Sequence, residues 1–468
     1  MRARPVTTAV AVIILGIAIA AFAVIWRPAI DPIERPAPES FDKGLVARGA
    51  ELAAIGNCSV CHTAPSGKPF AGGLALPTPF GTIYSTNITP DPDTGIGRWS
   101  EAAFIRAMRE GLDREGRHLY PAFPYDHFTR VTDEDNRALY AFLMTREPAT
   151  TETPQNDLPF PLNIRAMVAG WKLLYLRPGP FEPDATKDAA WNRGAYLVEG
   201  LGHCGACHTP RNVLGAEKGG DAYAGGEAEG WHAYALNANS PAPVPWDVEA
   251  LHAYLRQGWH PLHGVARGPM APVTANLASV PDADLEAIAT YVASLMGEPA
   301  PERRQRGEKA VAAAHVEAPG LKPASADSQA VPRLDKASAD QGAMIYAAAC
   351  ASCHEGGRAP PFGGLNLHLS SAVNASTPDN VINVVLQGVP ARGGERGAIM
   401  PAFNGAMTDG QLSALLGYLR ATFSDQPAWA DVASHVSEAR SGARAVSSYA
   451  THTGGSAPAS GAQRGSTW

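Results

Sequence analysis

Six cysteines fall into three pairs, and a histidine follows each pair at once: Cys58, Cys61 and His62; Cys204, Cys207 and His208; Cys350, Cys353 and His354. Cys-x-x-Cys-His is the attachment signal for c-type haem. The two thiols add across the vinyl groups of the porphyrin, and the adjacent imidazole is held against the ring as an iron ligand. The competing chemistries for such a pair are a thioredoxin-like redox couple and a zinc site. Neither requires a histidine behind every pair, nor does an ordinary disulfide framework, and no cysteine is left over. The sequence therefore predicts three covalently bound c-type haems on the six cysteines, with His62, His208 and His354 as iron ligands.

The elements that must position these groups repeat with them. From Cys58 to Cys204 and from Cys204 to Cys350 is the same 146 residues, and a chain of 468 residues has room for about three domains. A small-residue helical stretch precedes each motif, at Arg48-Gly49-Ala50, Arg193-Gly194-Ala195 and Gln341-Gly342-Ala343. A second helix follows from a capping residue to a glycine: Ser100 to Gly111, Asp247 to Gly258 and Thr377 to Gly388. A third runs from Thr132 to Phe142, Pro281 to Tyr291 and Thr408 to Tyr418, each placing an aromatic ten residues past its start to face the first helix. Thr408 with Gln411 reads as a capping box.

The sixth iron ligand is expected between the second and third helices. Met270 and Met400 each lie 12 residues past the helix-terminal glycine and beside proline. A thioether opposite histidine raises the haem potential, which suits an electron carrier. In the first repeat the same count lands on Phe123, which cannot ligate iron. His127 is the first substitute and His118 the second; Met108 and Met144 sit at helical positions suited to core packing. The remaining outcome is a five-coordinate iron that binds a small ligand.

Composition excludes other classes. Net charge is −7, with 38 Lys and Arg against 45 Asp and Glu, so the basic footprint of a nucleic-acid binder is missing. Charged residues are 18 % of the chain, below the usual ~25 %, while 45 % hydrophobic content is ample for buried cores. No Ser-His-Asp order, phosphate-binding glycine loop or paired-carboxylate signature stands out. Asp91 and Asp93, beside prolines, read as a turn.

Taken together, the chain resembles the membrane-bound triheme cytochrome c subunits of periplasmic dehydrogenases. The segments that carry the resemblance are Thr86-Asn87-Ile88-Thr89-Pro90-Asp91, Gly95-Ile96-Gly97, His118-Leu119-Tyr120-Pro121-Ala122, Gly200 through Asn212, and Gly268-Pro269-Met270. It covers about residues 43–425. The resemblance implies a catalytic partner of molybdopterin, PQQ or flavin type, and ubiquinone or a terminal oxidase as electron acceptor. Phe123 with a histidine four residues on resembles the subunits that serve molybdenum hydroxylases such as nicotinate dehydrogenase.

The ends and linkers complete the expected layout. Val6 to Trp26 is 21 residues without a charge, behind Arg2 and Arg4, and as a helix would span about 31 Å. It is read as an N-terminal membrane anchor, with a cleaved signal sequence as the alternative, placing the protein on the periplasmic side of the inner membrane. Ile164 to Leu176 is too short to span and reads as a surface or interdomain helix. The stretch from Pro299 to Pro332 reads as a linker. The expected fold is all-α: three tandem class I cytochrome c domains at 42–147, 188–297 and 336–425, a segment 1–29 ahead of them and a disordered tail 426–468. Electron transfer is the expected function. A gas- or peroxide-binding protein using an open first haem, and a c-type oxidase subunit, are the alternatives.

Overall fold

The computed structural model describes residues 12–16, 19, 22–315, 336–357, 363–390 and 399–442. Helices α1 (Lys43–Ile55), α2 (Glu101–Glu110) and α3 (Asp133–Met144) form a first set, and α4 (Met167–Tyr175) leads out of it. The second set is α5 (Ala189–Tyr196), α6 (Val248–Gln257), α7 (Met270–Leu277) and α8 (Asp282–Met296). Helix α9 (Pro301–His315) precedes the third set, α10 (Lys336–Ala349), α11 (Asp379–Gln387) and α12 (Asp409–Phe423), and α13 (Val432–Ser441) follows it.

The expected caps explain most of these boundaries. Ser100 and Asp247 accept hydrogen bonds from the amides of Ala103 and Ala250, while Gly111 and Gly258 end α2 and α6 in the left-handed region. Thr132 caps α3, and both hydrogen bonds of the Thr408–Gln411 capping box are present. Thr377 does not cap. Pro378 takes the N-cap place and α11 starts at Asp379, so the Thr377 hydroxyl is buried without a partner.

The first and last helices of each set cross at a glycine. A Cβ on Gly49, Gly194 or Gly342 would collide with the carbonyl oxygen of Ala138, Ala287 or Ala414 and lie 2.7–2.8 Å from the Cβ of Phe142, Tyr291 or Tyr418. The expected aromatic thus does face the first helix, and only glycine lets the backbones approach this closely. Leu52, Leu139, Leu197, Leu201 and Leu285 belong to one continuous apolar core shared by the first two sets. The third set has its own core around Ile382, Leu412 and Leu416.

Five expectations need correction. The fold is not all-α, because three antiparallel hairpins interrupt it: β1 (Ala75–Thr78) with β2 (Gly81–Tyr84), β3 (Gly226–Ala228) with β4 (Trp231–Ala233), and β5 (Trp259–His260) with β6 (Gly264–Val265). Strands of two to four residues leave no period to read, although Glu229 and Gly230, both at positive φ, make the turn a tight hairpin needs. The N-terminal transmembrane helix is not supported either. Among the described residues no helix is long and apolar enough to cross a membrane. Parts of the expected span from Val6 to Trp26 lie outside the described residues. The last described helical piece, 22–25, ends ahead of Arg27-Pro28, as proline disfavours helix in the residue before it. The chain then runs along the first set, where Ile30 and Ile33 donate to the carbonyls of Arg114 and Arg98. The inner-membrane placement that rested on this anchor loses its support.

The linker and tail are also more ordered than their composition suggests. Residues 301–315 are helix α9, and Arg303 donates to the carbonyls of Ala238 and Ser240 in the second set. Beyond Asp425, Trp429 and Val436 are buried in the third core, so residues 426–442 are no disordered tail. Residues 316–335 and 443–468, the rest of the expected linker and tail, lie outside the described residues.

Candidate functional site

Each Cys-x-x-Cys-His stretch is one turn of helix: Cys58–Cys61, Gly205–His208 and Ala351–His354. The amides of His62, His208 and His354 donate to the carbonyls of Cys58, Cys204 and Cys350 at 3.0–3.1 Å. That turn stacks each histidine over the first cysteine of its pair, so two sulfurs and an imidazole project from one short element. Asn57 and His203, at positive φ, bend the chain into the first two turns. No two of the six cysteines are joined as a disulfide. Burial pushes Cys58 and Cys204 up to about 12 and Cys61 and Cys350 up to about 11.

The three histidines share one arrangement. His62 Nδ1 bonds the carbonyl of Thr86 at 2.6 Å, His208 Nδ1 that of Tyr234 at 2.6 Å, and His354 Nδ1 that of Leu365 at 2.7 Å. A carbonyl only accepts, so Nδ1 carries the proton and Nε2 keeps its lone pair. Burial also lowers all three pKa values, which favours the neutral ring. A neutral imidazole oriented through its other nitrogen is the form that binds a metal. Two hairpins explain where the carbonyls come from. β2 ends at Tyr84, two residues before Thr86, and β4 ends at Ala233, directly before Tyr234. These short strands, which leave no periodic trace in the sequence, deliver the groups that orient the histidines, and the residues present fit c-type haem.

The far side of each site is less uniform. The amides of Leu119 and Ala266 donate to the carbonyls of Gly111 and Gly258, so Phe123 and Met270, each four residues further on, share one backbone register. Met270 opens α7 and packs on the shared core. Phe123 packs on the same core with its ring 6.4 Å from Tyr125 and 5.2 Å from Phe128. Met400 borders the third core but lies in a bridge with Val389, so an equal count of residues has landed on different local structure.

His127 is committed elsewhere. Its Nδ1 bonds the carbonyl of Glu199 at 2.9 Å and its Nε2 bonds Glu217 Oε1 at 2.7 Å, both in the second set. One of these bonds would have to break before the ring could reach an iron. His118 bonds the Ile25 carbonyl through Nε2, and its Nδ1 is buried without a partner. Met108 and Met144 are buried core residues.

The first two sites are neighbours. Cys207 lies close enough to raise the Cys61 thiol pKa, a Cβ on Gly56 would touch Leu201 and Cys58 Sγ, and Asn276 donates to Asn57 at 2.7 Å. Asp126, His127 and Glu217 cluster at this junction. Burial alone would lower His127, yet its bond to Glu217 holds its pKa above the usual value and that of Glu217 below. His127 stands out in the sequence beside Phe123, whereas Glu217 lies 90 residues away and carries no local signal.

The family model for cytochrome c matches residues 46–147, and that for cytochrome c oxidase, cbb3-type, subunit III matches 337–419. The chain is 46 % identical over 420 residues to a nicotinate dehydrogenase subunit of Pseudomonas putida, covering 89 % of this chain but 33 % of that protein, so it spans about a third of that relative's length. It is 36 % identical over 427 residues to the fructose dehydrogenase cytochrome subunit of Gluconobacter japonicus, covering 88 % of this chain and 86 % of that one. A diheme cytochrome c-type protein of Cereibacter sphaeroides is 40 % identical over 259 residues, 53 % of this chain and 85 % of that one.

Proposed function

From the premise that this chain belongs to the family of cytochrome c subunits of dehydrogenases, we propose that it carries three covalent haems and relays electrons from a dehydrogenase catalytic subunit to ubiquinone or a terminal oxidase. Electron transfer, c-type haem and a dehydrogenase partner follow from membership; the haem count, the ligands and the acceptor are the proposal. A c-type haem supplies a one-electron iron couple when bound. The pairs Cys58/Cys61, Cys204/Cys207 and Cys350/Cys353 tether it. His62, His208 and His354 ligate through Nε2 while Thr86, Tyr234 and Leu365 hold the rings in place. Met270 and Met400 would supply thioether ligands at the second and third sites. The domain limits at 42–147, 188–297 and 336–425 belong to the same reading, as does a partner of the nicotinate dehydrogenase type, which the likeness to the Pseudomonas putida protein supports.

The observation that carries this reading is the thrice-repeated Nδ1-to-carbonyl bond behind the three Cys-x-x-Cys-His turns. Pyridine haemochrome absorbance and intact mass test it. Three haems per chain are expected, and two for a Cys204→Ala/Cys207→Ala variant. Fewer than three in the wild type would overturn the count. Co-purification of the tagged chain should bring down a dehydrogenase catalytic subunit. Reoxidation of the reduced complex by a ubiquinone analogue, compared with reoxidation by an added oxidase, separates the two acceptors.

A specific observation favours a second activity at the first site. Phe123 occupies the register of Met270, and both nitrogens of His127 are engaged. A haem held by Cys58, Cys61 and His62 would then lack a thioether from this register and could take a gas or peroxide. Carbon monoxide added to the reduced protein should shift about one third of the Soret absorbance, and His127→Ala should leave that response unchanged. No response to carbon monoxide would remove the open position.

A further inference from the structure

Arg48 and Arg193 occupy one repeat position, directly before the close-approach glycines of α1 and α5. Asp135 and Asp284 occupy another, the third residue of α3 and α8. These four side chains meet across the boundary between the first two sets. Arg48 Nη1 lies 3.1 Å from Asp284 Oδ2 and its Nε 3.5 Å from Asp135 Oδ1. Arg193 holds Asp284 through two bonds of 2.7 and 2.9 Å and reaches Asp135 at 3.9 Å. Tyr196, of the second set, donates to Asp135 at 2.7 Å. Each arginine therefore touches both the aspartate of its own set and that of the other, in a pseudo-twofold ring. Both aspartates are at most 9 % exposed.

The third repeat has neither charge. Its two positions are Gln341 and Gln411, and Gln411 is already used in the cap of α12. It meets the second set instead through side-chain-to-backbone bonds, Asn380 pairing with the amide and carbonyl of His232 and Asn383 donating to the carbonyl of Gly230, with Glu227 of the second set near His435. Buried ionic groups are poor sources of net stability but can select one register, because every other arrangement strands a charge.

We propose that Arg48, Asp135, Arg193 and Asp284 are positioning residues that lock the first two haem sites into one rigid pair, with the third site outside the lock. The proposal rests on the three-haem reading above. Two further observations support it: one core runs through both sets, and the Cys61 and Cys207 ends of the two motifs are neighbours. The matched stretch of the diheme relative, 53 % of this chain, is also the share that two repeats would fill.

The test uses the full-length, haem-loaded chain and an Arg48→Gln/Arg193→Gln variant that copies the third repeat. Pulsed paramagnetic resonance on the oxidised protein should give a narrow first-to-second haem distance in the wild type and a broadened one in the variant, with haem content unchanged. Amide hydrogen exchange at the start of α3 and α8 should quicken about tenfold, equivalent to about 1.4 kcal/mol of easier opening. Arg48→Lys/Arg193→Lys should restore the narrow distance. If the glutamine pair fails to load haem, Asp284→Asn makes the same comparison at nearly constant shape. Unchanged distance and exchange would overturn the lock. A wild-type haem count below three would overturn the underlying reading instead, and the exchange measurement, which needs no haem count, would still decide the lock.

Discussion

Gly194→Ala tests the packing that brings α5 against α8. The added Cβ would meet the Ala287 carbonyl oxygen far inside contact distance and the Tyr291 Cβ at 2.7 Å. Ordinary contacts are about 3.5–4.0 Å, so the two backbones must separate by roughly 1 Å or shear. Overpacking of this kind costs about 1–3 kcal/mol, whereas alanine regains about 1 kcal/mol of helix propensity over glycine. Here the obstacle is main chain on one side and a ring-bearing Cβ on the other, so the upper end applies, and a net loss of about 2 kcal/mol is expected. Thermal unfolding followed by circular dichroism should show a fall of roughly 4–8 °C, at about 2–4 °C per kcal/mol for a unit of this size. Gly170→Ala in α4, where a Cβ would meet nothing within 4 Å, is the control and should be neutral or raise stability. Gly342→Ala should lower only the transition of the third set, whose core is separate. A Gly194→Ala protein as stable as wild type, or gaining what Gly170→Ala gains, would refute the close approach.

Charge predictions follow from the buried cations. Lys172 is buried, donates to the carbonyls of Glu110 and Gly111, and burial pushes its pKa down to about 7 from 10.5. Its penalty is fully present below about pH 7 and is relieved as pH rises toward 10.5, where the unfolded lysine still holds its proton, so stability should climb by on the order of 3 kcal/mol across that window. Lys172→Met should remove the climb in pH-resolved denaturant melts; an identical slope in both proteins would count against a buried cation. The His127–Glu217 pair has the opposite form. His127 is raised, so its contribution is complete below 6.5 and is lost as pH rises through its folded value; Glu217 is depressed, so its contribution is complete above 4.5 and is lost as pH falls through its own. Glu217→Gln should therefore cost most, about 2–3 kcal/mol, between pH 4.5 and 6.5, and less at higher pH. A pH-independent difference would contradict the ion pair. Met270→Leu and Met400→Leu should each lower one step of a redox titration and leave the other steps in place, because loss of the thioether removes the ligand that raises the potential.

What could be read from the sequence was whatever is local and repeated. The three Cys-x-x-Cys-His turns, the capped starts at Ser100, Asp247, Thr132 and Thr408, and the glycine-aromatic pairs depend on residues within one helix or at fixed repeat positions. The rest depended on contacts with no local trace. Strands of two to four residues show no period, and their purpose appears only once Thr86 and Tyr234 are seen behind the histidines. His127 looked available because its partners, Glu199 and Glu217, lie 72 and 90 residues away. The apolar N-terminal run matched the length of a membrane span, but among the described residues no helix is long and apolar enough to cross one. The compositional linker and tail misled because their anchors are long-range: Arg303 reaches the carbonyls of Ala238 and Ser240, and Trp429 and Val436 are buried in the third core.

The two faces of these sites obey different constraints. The histidine side needs one carbonyl at a fixed distance, and a hairpin or a short loop can supply it whatever the side chains, so three repeats of diverged sequence keep it within 2.6–2.7 Å. The opposite side needs a particular side chain at a particular place, and a single substitution changes its chemistry. Phe123 shows the consequence, because a phenyl ring offers no donor to iron where Met270 offers a thioether. Tyr125 is fully buried with an unpartnered hydroxyl, its ring edge-on to Trp171 and beneath the ammonium of Lys172 at 4.9 Å. A buried hydroxyl without a partner costs about 1–3 kcal/mol, which an ordinary core would shed by using phenylalanine. The Tyr125 ring sits beneath a buried lysine, two residues past the repeat position that carries phenylalanine instead of methionine.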